Sequence, residues 1–327
     1  MFSGDALEID PSREAARIVE FMRAQVLGVL RRRGAVLGIS GGVDSAVCAA
    51  LAVRAFGTDK VLGLFMPERE TSDDALALGR LVAGKLGIEA IIEDIGPVLE
   101  GARSYERQAD AIRRIVPEYG DGYRCKLVMP SILEGERLNV TRLTIQSPSG
   151  ESKTVRLTTE AYLQIVAATN YKQRVRKTTE YYHADRLNFA VIGTPNRLEY
   201  DQGFFVKQGD GVADVKPIAH LYKTQVYRLA EYLGVPGEVR SRPPTTDTFS
   251  LPQTQEEFYF ALPYDRMDLC LYAHDHGVPE IEVAEVVGLE VAQVERVFRD
   301  IESKRRATRH LHLPPLLLDP EQRVTEG

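Results

Sequence analysis

Apolar positions in the first third of the chain switch between two periods. Over 12–33, Ile18, Phe21, Met22, Val26 and Leu30 recur at helical spacing behind Asp10-Pro11, a cap and first-turn pair, and the pattern stops at Gly34. This predicts an amphipathic opening helix. The short apolar runs "AVLGIS" (35–40), "KVLGLFM" (60–66) and "IEAIIED" (88–94) follow, separated by a small-residue run at 45–56 and a helical pattern at 72–86. Apolar runs alternating with helices predict parallel strands joined by crossover helices. A helical stretch over 159–184 then leads into "NFAVIG" (188–193), read as a further strand, and into "LYKTQVYRLAEYLG" (221–234), a helix with a glycine stop. The expected class is α/β, with a doubly wound, mostly parallel sheet.

Two segments depart from that rhythm. Within 97–160 the stretch "LNVTRLTIQSPSGESKTVRLTT" carries two alternating runs around Ser147-Pro148-Ser149-Gly150, which predicts an inserted β-hairpin. Near the end, within a helical segment expected over 264–313, "IEVAEVVGLEVAQVERVFRDIESKRRATRH" (281–310) reads as two short helices around Gly288. That pattern suggests a helix-turn-helix, but a DNA reader needs a basic or amide-rich second helix, and this one carries Glu290, Glu295, Asp300 and Glu302. No fixed-period repeat and no shift in composition mark a second folding unit. The whole of 1–327 is expected to form a single domain.

A hydrophobic content of 44% over 327 residues suffices for a full core, and a formal net charge of −6 gives no general attraction to nucleic acid. No apolar run approaches the roughly 18 residues that a bilayer span requires, so no membrane insertion is expected. Cys48, Cys125 and Cys270 form no CxxC pair and no secretory h-region is present, which points to a reducing, cytoplasmic setting. The pairs His274/His276 and His310/His312 lack spaced carboxylate or cysteine partners, so they do not read as a zinc site.

The candidate chemistry begins at "LGISGGVDSAV" (37–47). A strand ending near Ile39 delivers Ser40, Gly41, Gly42, Val43, Asp44 and Ser45 to the carboxyl edge of the sheet, with a helix expected to start at about Ser45. Glycines let backbone N–H groups approach phosphate oxygens, and the helix N-terminus adds amides and partial positive charge. The lysine of a GxxxxGK[ST] P-loop is absent. Asp44 would repel a bare phosphate, whereas a Mg²⁺ between them takes carboxylate and phosphate oxygens together. The loop therefore predicts a metal–pyrophosphate site, with a purely structural Gly-Gly turn as the alternative.

These residues resemble the PP-loop of the N-type ATP pyrophosphatases, which cleave ATP between its α- and β-phosphates and adenylate a substrate oxygen. Further stretches look like NAD synthetase: "MPERETSDDALALGRLVAGKLGI" (66–88), "NYKQRVRKTTEYYHAD" (170–185) with the N-x-x-x-R-x-R pattern, and "IGTPNRLEYDQGFFVKQGDGVADVKPIAHLYKTQV" (192–226). The last of these echoes G-T-x-x-x-x-E, G-[FY]-[FL]-x-K-x-G-D-G-x-A-D and P-[IL]-x-x-L-x-K. "RPPTTD" (242–247) and "YDRMD" (264–268) follow in family order. The resemblance covers most of the chain outside 97–160 and implies an adenine nucleotide alpha hydrolase-like fold.

It implies amidation of nicotinic acid adenine dinucleotide by ammonia through an acyl-adenylate, with ATP as co-substrate and Mg²⁺ held by Asp44 and Glu199. Ser40, Gly41, Gly42, Val43, Ser45, Thr194, Lys223 and Thr245 correspond to ATP-binding positions, with Asp44 and Lys223 as catalytic residues. Arg174, Lys207, Asp210, Asp214 and Lys304 correspond to acceptor-binding positions. Arg174 and Arg176 project on different helix faces, so one at most is expected in a given site. A homodimer is expected, partly because the 170–182 helix mixes Tyr171, Tyr181 and Tyr182 with Lys172, Arg174 and Arg176. No glutaminase segment is read in these residues, so ammonia, free or from a separate chain, is the expected nitrogen source. Two departures stand out: Glu302-Ser303-Lys304-Arg305 replaces the family's His-Lys-Arg, and Leu221-Tyr222-Lys223 replaces L-T-K. With the inserted hairpin, they leave open a paralogue that adenylates another carboxylate, or a module that only binds ATP.

Overall fold

A computed structural model describes residues 2–129, 141–245, 248–260 and 262–318. Helix α1 (Pro11–Arg23) starts as expected: Asp10 accepts hydrogen bonds from the N–H groups of Ser12 and Arg13, with Pro11 in the first turn. The single helix expected over 12–33 instead passes into a π-helical turn at Ala24–Val29. Gly34 is not its stop signal. A Cβ on Gly34 would lie 2.3 Å from the Lys60 carbonyl oxygen, so the glycine serves the close approach of two backbones where the sheet begins.

Strand β1 (Ala35–Gly38) leads into α2 (Val43–Phe56), β2 (Val61–Phe65), α3 (Asp73–Leu86) and β3 (Glu89–Ile92). Short helices α4 (Gly96–Gly101) and α5 (Ser104–Arg113) precede strands β4 (Arg124–Val128), β5 (Arg142–Gln146) and β6 (Ser152–Arg156). The long helix α6 (Thr159–Leu187) returns the chain to β7 (Ala190–Val191). Helices α7 (Arg197–Gln202), α8 (Lys223–Tyr232), α9 (Gly237–Ser241), α10 (Tyr264–Asp275), α11 (Glu280–Val287) and α12 (Val291–His312) complete the chain.

The main sheet runs β3-β2-β1-β7, and every pair in it is parallel. Alternate residues face opposite layers. Ala35 and Leu37 pack with α1, α2 and α8, while Val36, Leu62 and Leu64 pack with Ala184 of α6. Helices thus cover both faces, as a doubly wound sheet requires. The chain leaves β1 toward β2 on one side and reaches β7 on the other, so the crevice beyond the ends of β1 and β7 is a topological switch point, where open α/β sheets bind ligands.

The predicted hairpin is present as β5 and β6. Residues 138–140 of its first run lie outside the described residues. A third strand, β4, pairs antiparallel with β5 and was not expected, because "RCKLV" offers only Cys125 and Leu127 as alternating apolar positions. The C-terminal segment is helical on either side of Gly288, but α12 has 22 residues and is no short reader helix. Among the described residues no helix is long and apolar enough to cross a membrane.

Candidate active site

At the end of β1 the chain turns through Gly41, whose φ of +77° favours glycine and whose added Cβ would lie 2.4 Å from the carbonyl oxygen of Ala75 in α3. Both the turn and the approach of α3 exclude a side chain there. Helix α2 begins at Val43, two residues before the expected start, with Gly42 as N-cap. Asp44 therefore lies within the first turn, where the helix dipole favours an anion. The serine hydroxyls tie the loop together: Ser45 donates to the Gly42 carbonyl oxygen at 3.0 Å and Gly42 N–H donates to Ser40 Oγ at 3.3 Å.

The second carboxylate comes from beyond β7. Asn196 caps α7 in a reciprocal box: its Oδ1 accepts from Glu199 N–H at 3.2 Å, and Glu199 Oε2 accepts from Asn196 N–H at 3.0 Å. The other end of the Asn196 amide donates to Asp44 Oδ1 at 3.1 Å. One buried asparagine thereby fixes Glu199 and reaches Asp44. The N-x-x-E spacing inside G-T-P-N-R-L-E is a sequence signature of this cap, although the residue received no role above.

Lys223 completes the group. It is the first residue of α8, fully buried, and its ammonium contacts the Asp44 carboxylate. Burial pulls its pKa down, but Asp44 and Glu199 outweigh that and the net direction is up. Burial first and the Asp44 charge second push the Glu199 pKa up to about 8, against the opposing pull of Lys223. Two carboxylates thus share one lysine. An anion that faces Lys223 within the chain itself is the Asp44 carboxylate.

Residues Ser40, Gly42, Val43, Asp44, Ser45, Thr194, Glu199, Asp210, Lys223 and Thr245 all line one cavity of about 260 Å³. Gly41 shapes its loop from beneath. Thr246 and Asp247 of R-P-P-T-T-D lie outside the described residues. The wall toward α6 adds Arg176, half-buried, and a buried pair that sequence reasoning passed over, Lys177 and Glu180, with Lys177 donating to Glu180 at 2.7 Å. Burial raises the pKa of Glu180, and burial likewise raises that of Asp210 against a stabilising N–H from Val206.

The remaining predicted residues do not line the cavity. Arg174 donates to the Lys207 carbonyl oxygen at 3.2 Å, and it is Arg176 that reaches the cavity. Lys207 donates to the carbonyl oxygen of His310 at 2.8 Å, satisfying the C-terminal turn of α12. Asp214 accepts from Val191 N–H at 2.7 Å and from the Tyr181 hydroxyl at 3.3 Å, locking its loop to β7 and α6. Lys304 is buried, pairs with Asp300 at 2.6 Å and donates to the Tyr259 carbonyl oxygen at 2.7 Å. Lys172, expected at an interface, is buried in its own subunit between Glu68 at 3.1 Å and Glu70 at 2.6 Å.

The donor set suits a hard cation bound partly by its ligand. Among the described residues no three His, Cys, Asp or Glu gather into a complete protein cage. Mg²⁺ characteristically takes one or two carboxylates plus phosphate oxygens and waters. Asp44 and Glu199 would supply the two carboxylates, and the Asp44 charge adds to burial in raising the Glu199 pKa.

Comparison with known proteins gives a consistent family. The family model described as NAD synthase matches residues 14–116 and 134–310, so its second segment spans the β5–β6 hairpin. An NH(3)-dependent NAD(+) synthetase of Mesorhizobium japonicum is 66% identical over 311 residues, covering 95% of this chain and 98% of the relative. Its namesake in Thermotoga maritima is 36% identical, covering 73% of this chain and 79% of its own. Among solved structures, an NMN synthetase from Francisella tularensis superposes with a TM-score of 0.64 at 22% identity, covering 95% of this chain and 99% of that one. An NH3-dependent NAD synthetase from Campylobacter jejuni gives 0.61 at 20%, covering 95% of this chain and 100% of its own. At those identities the structures speak for the fold alone.

Proposed function

Since this chain belongs to the NAD synthase family, we infer that it is an ammonia-dependent ligase, which forms NAD from nicotinic acid adenine dinucleotide while converting ATP to AMP and pyrophosphate. The observation that carries the reading is the meeting of Asp44, Glu199 and Lys223 at the switch point of a PP-loop sheet, in a chain 66% identical to such a synthetase. Neither the paralogue with another carboxylate nor the module that only binds ATP finds support in these relatives.

The chemistry asks little of any nucleophilic side chain. A carboxylate oxygen of the acceptor attacks the α-phosphorus of ATP and the bond to the β-phosphate oxygen breaks. Ammonia then adds to the acyl carbon, AMP leaves with that carboxylate oxygen, and a proton is released. The loop amides and the hydroxyls of Ser40 and Ser45 hold the triphosphate, and the Lys223 ammonium stabilises the charge gathering on the departing pyrophosphate. Asp44 and Glu199 would hold Mg²⁺, which supplies charge neutralisation across the phosphates when bound. Asp210 is the acceptor contact that lies in the cavity, with Arg176 beside it in place of Arg174. Lys207, Asp214 and Lys304 act by fixing the loop and helix that enclose the acceptor.

A homodimer is part of the same proposal, supported by α6, which leaves Leu163, Tyr171 and Tyr182 exposed along its length. The protein works as one domain in the cytoplasm, taking ammonia free or from a separate chain. Incubation with ATP, Mg²⁺, ammonium and the dinucleotide acid should yield NAD, AMP and pyrophosphate in equal amounts, with glutamine alone giving none. ATP turnover without NAD would refute the acceptor. Sedimentation at micromolar concentration tests the dimer, which a fully active monomer would exclude.

A further inference from the structure

The YDRMD stretch that opens α10 does not line the cavity, yet both of its ends bond toward it. Tyr264, a buried side chain, donates its hydroxyl to Gln255 Oε1 at 2.5 Å, and Gln255 Nε2 donates to Glu199 Oε1 at 3.2 Å. Asp268, fully buried, accepts from the N–H of Lys223 at 3.3 Å through Oδ1 and from that of Thr224 at 2.7 Å through Oδ2.

We propose that Tyr264 and Asp268 are positioning residues of the adenylation centre, the first orienting Glu199 through Gln255 and the second fixing Lys223 through the first turn of α8. The proposal rests on the reading of Asp44, Glu199 and Lys223 given above.

The physical case is that each contact answers a problem created by the cluster. A buried lysine at a helix N-terminus sits at the positive end of the dipole, with orphan N–H groups around it. Tyr222 occupies the N-cap position, where a serine, threonine, aspartate or asparagine would ordinarily supply the acceptor. Asp268 satisfies two of those N–H groups from another helix and brings the negative charge the terminus requires. The departure from L-T-K is thereby accommodated. Glu199 poses the converse problem, because a neighbouring amide can present either its N–H₂ or its carbonyl. The Tyr264 hydroxyl occupies the Gln255 carbonyl and so turns the N–H₂ toward the carboxylate. A single rigid turn of α10 therefore sets two of the three charges relative to the third.

The test measures kcat, KM for ATP and Tm for Tyr264→Phe, Gln255→Ala, their double variant and Asp268→Asn, beside Glu199→Gln and Lys223→Met. Outer contacts of this kind change activity by about 10- to 100-fold. That loss is expected in kcat for Tyr264→Phe and Asp268→Asn, with KM for ATP little changed, Tm for Tyr264→Phe near the parent value, and the double variant no worse than Gln255→Ala. Parental kcat in Tyr264→Phe, or additive losses in the double variant, would overturn the Tyr264 arm. An Asp268→Asn protein that loses activity only in step with folding would overturn the Asp268 arm. Should Glu199→Gln and Lys223→Met themselves retain parental activity, the reading of the centre fails and the proposal goes with it.

Discussion

The cavity and the elements behind it spend their charge differently. Inside the cavity, Asp44, Glu199 and Lys223 are held against one another, so that one lysine balances two carboxylates. Outside its lining, Lys207, Asp214 and Lys304 place their charges on carbonyl oxygens, an N–H group and a buried aspartate. A motif residue can therefore serve a site in two ways, by meeting the ligand or by shaping the loop that meets it. Charge left incompletely balanced in a cavity distinguishes the first kind from the second.

The comparison breaks most visibly at Lys223. Its replacement by methionine removes the cation beside two half-buried carboxylates, and kcat is expected to fall by about 10²- to 10³-fold, the scale of a lost transition-state donor. A loss confined to KM for ATP would move Lys223 into ground-state binding. Next is Lys172→Met, which strands Glu68 and Glu70 in the interior; breaking such a pair costs roughly 3–5 kcal/mol, readable by urea unfolding. Parental stability in that variant would show that the two glutamates find other partners.

A smaller effect is read by pH. Folding raises the Glu199 pKa from 4.5 to about 8, so the folded state binds the extra proton and stability is lost as pH rises through that window. In metal-free buffer, Glu199→Gln removes this loss, and its Tm should gain on the parent between pH 5 and 8. A constant Tm difference across that range would contradict the shift. Smallest of all is the change at the acceptor: Lys304→Met should lower stability while leaving KM for the dinucleotide unchanged, whereas Arg176→Ala should raise that KM at unchanged Tm. The reverse pattern would restore Lys304 as a direct contact.

Much of this was legible in the chain because strands deliver loops to one edge of a parallel sheet. Apolar runs located β1, β2 and β3, and the segments after β1 and β7 held Asp44 and Glu199. The weaker readings share a cause. Lys304 and Lys207 look like ligands in a linear pattern, because nothing in the sequence announces that Asp300 or the end of α12 will claim them. Asp268 and Gln255 were invisible as supports, since their partners lie 44 and 56 residues away. Asn196 could have been found from its N-x-x-E spacing. Strand β4 could not, because its alternating Cys125 and Leu127 acquire meaning only beside β5.

The central claim is that this cavity joins the acceptor carboxylate to the α-phosphorus of ATP. Acceptor labelled with ¹⁸O in its carboxyl group, turned over with ATP and ammonium, tests it by mass spectrometry of the products. The account predicts AMP carrying one labelled oxygen and pyrophosphate carrying none. Label in inorganic phosphate or pyrophosphate, or AMP without label while NAD accumulates, would contradict it.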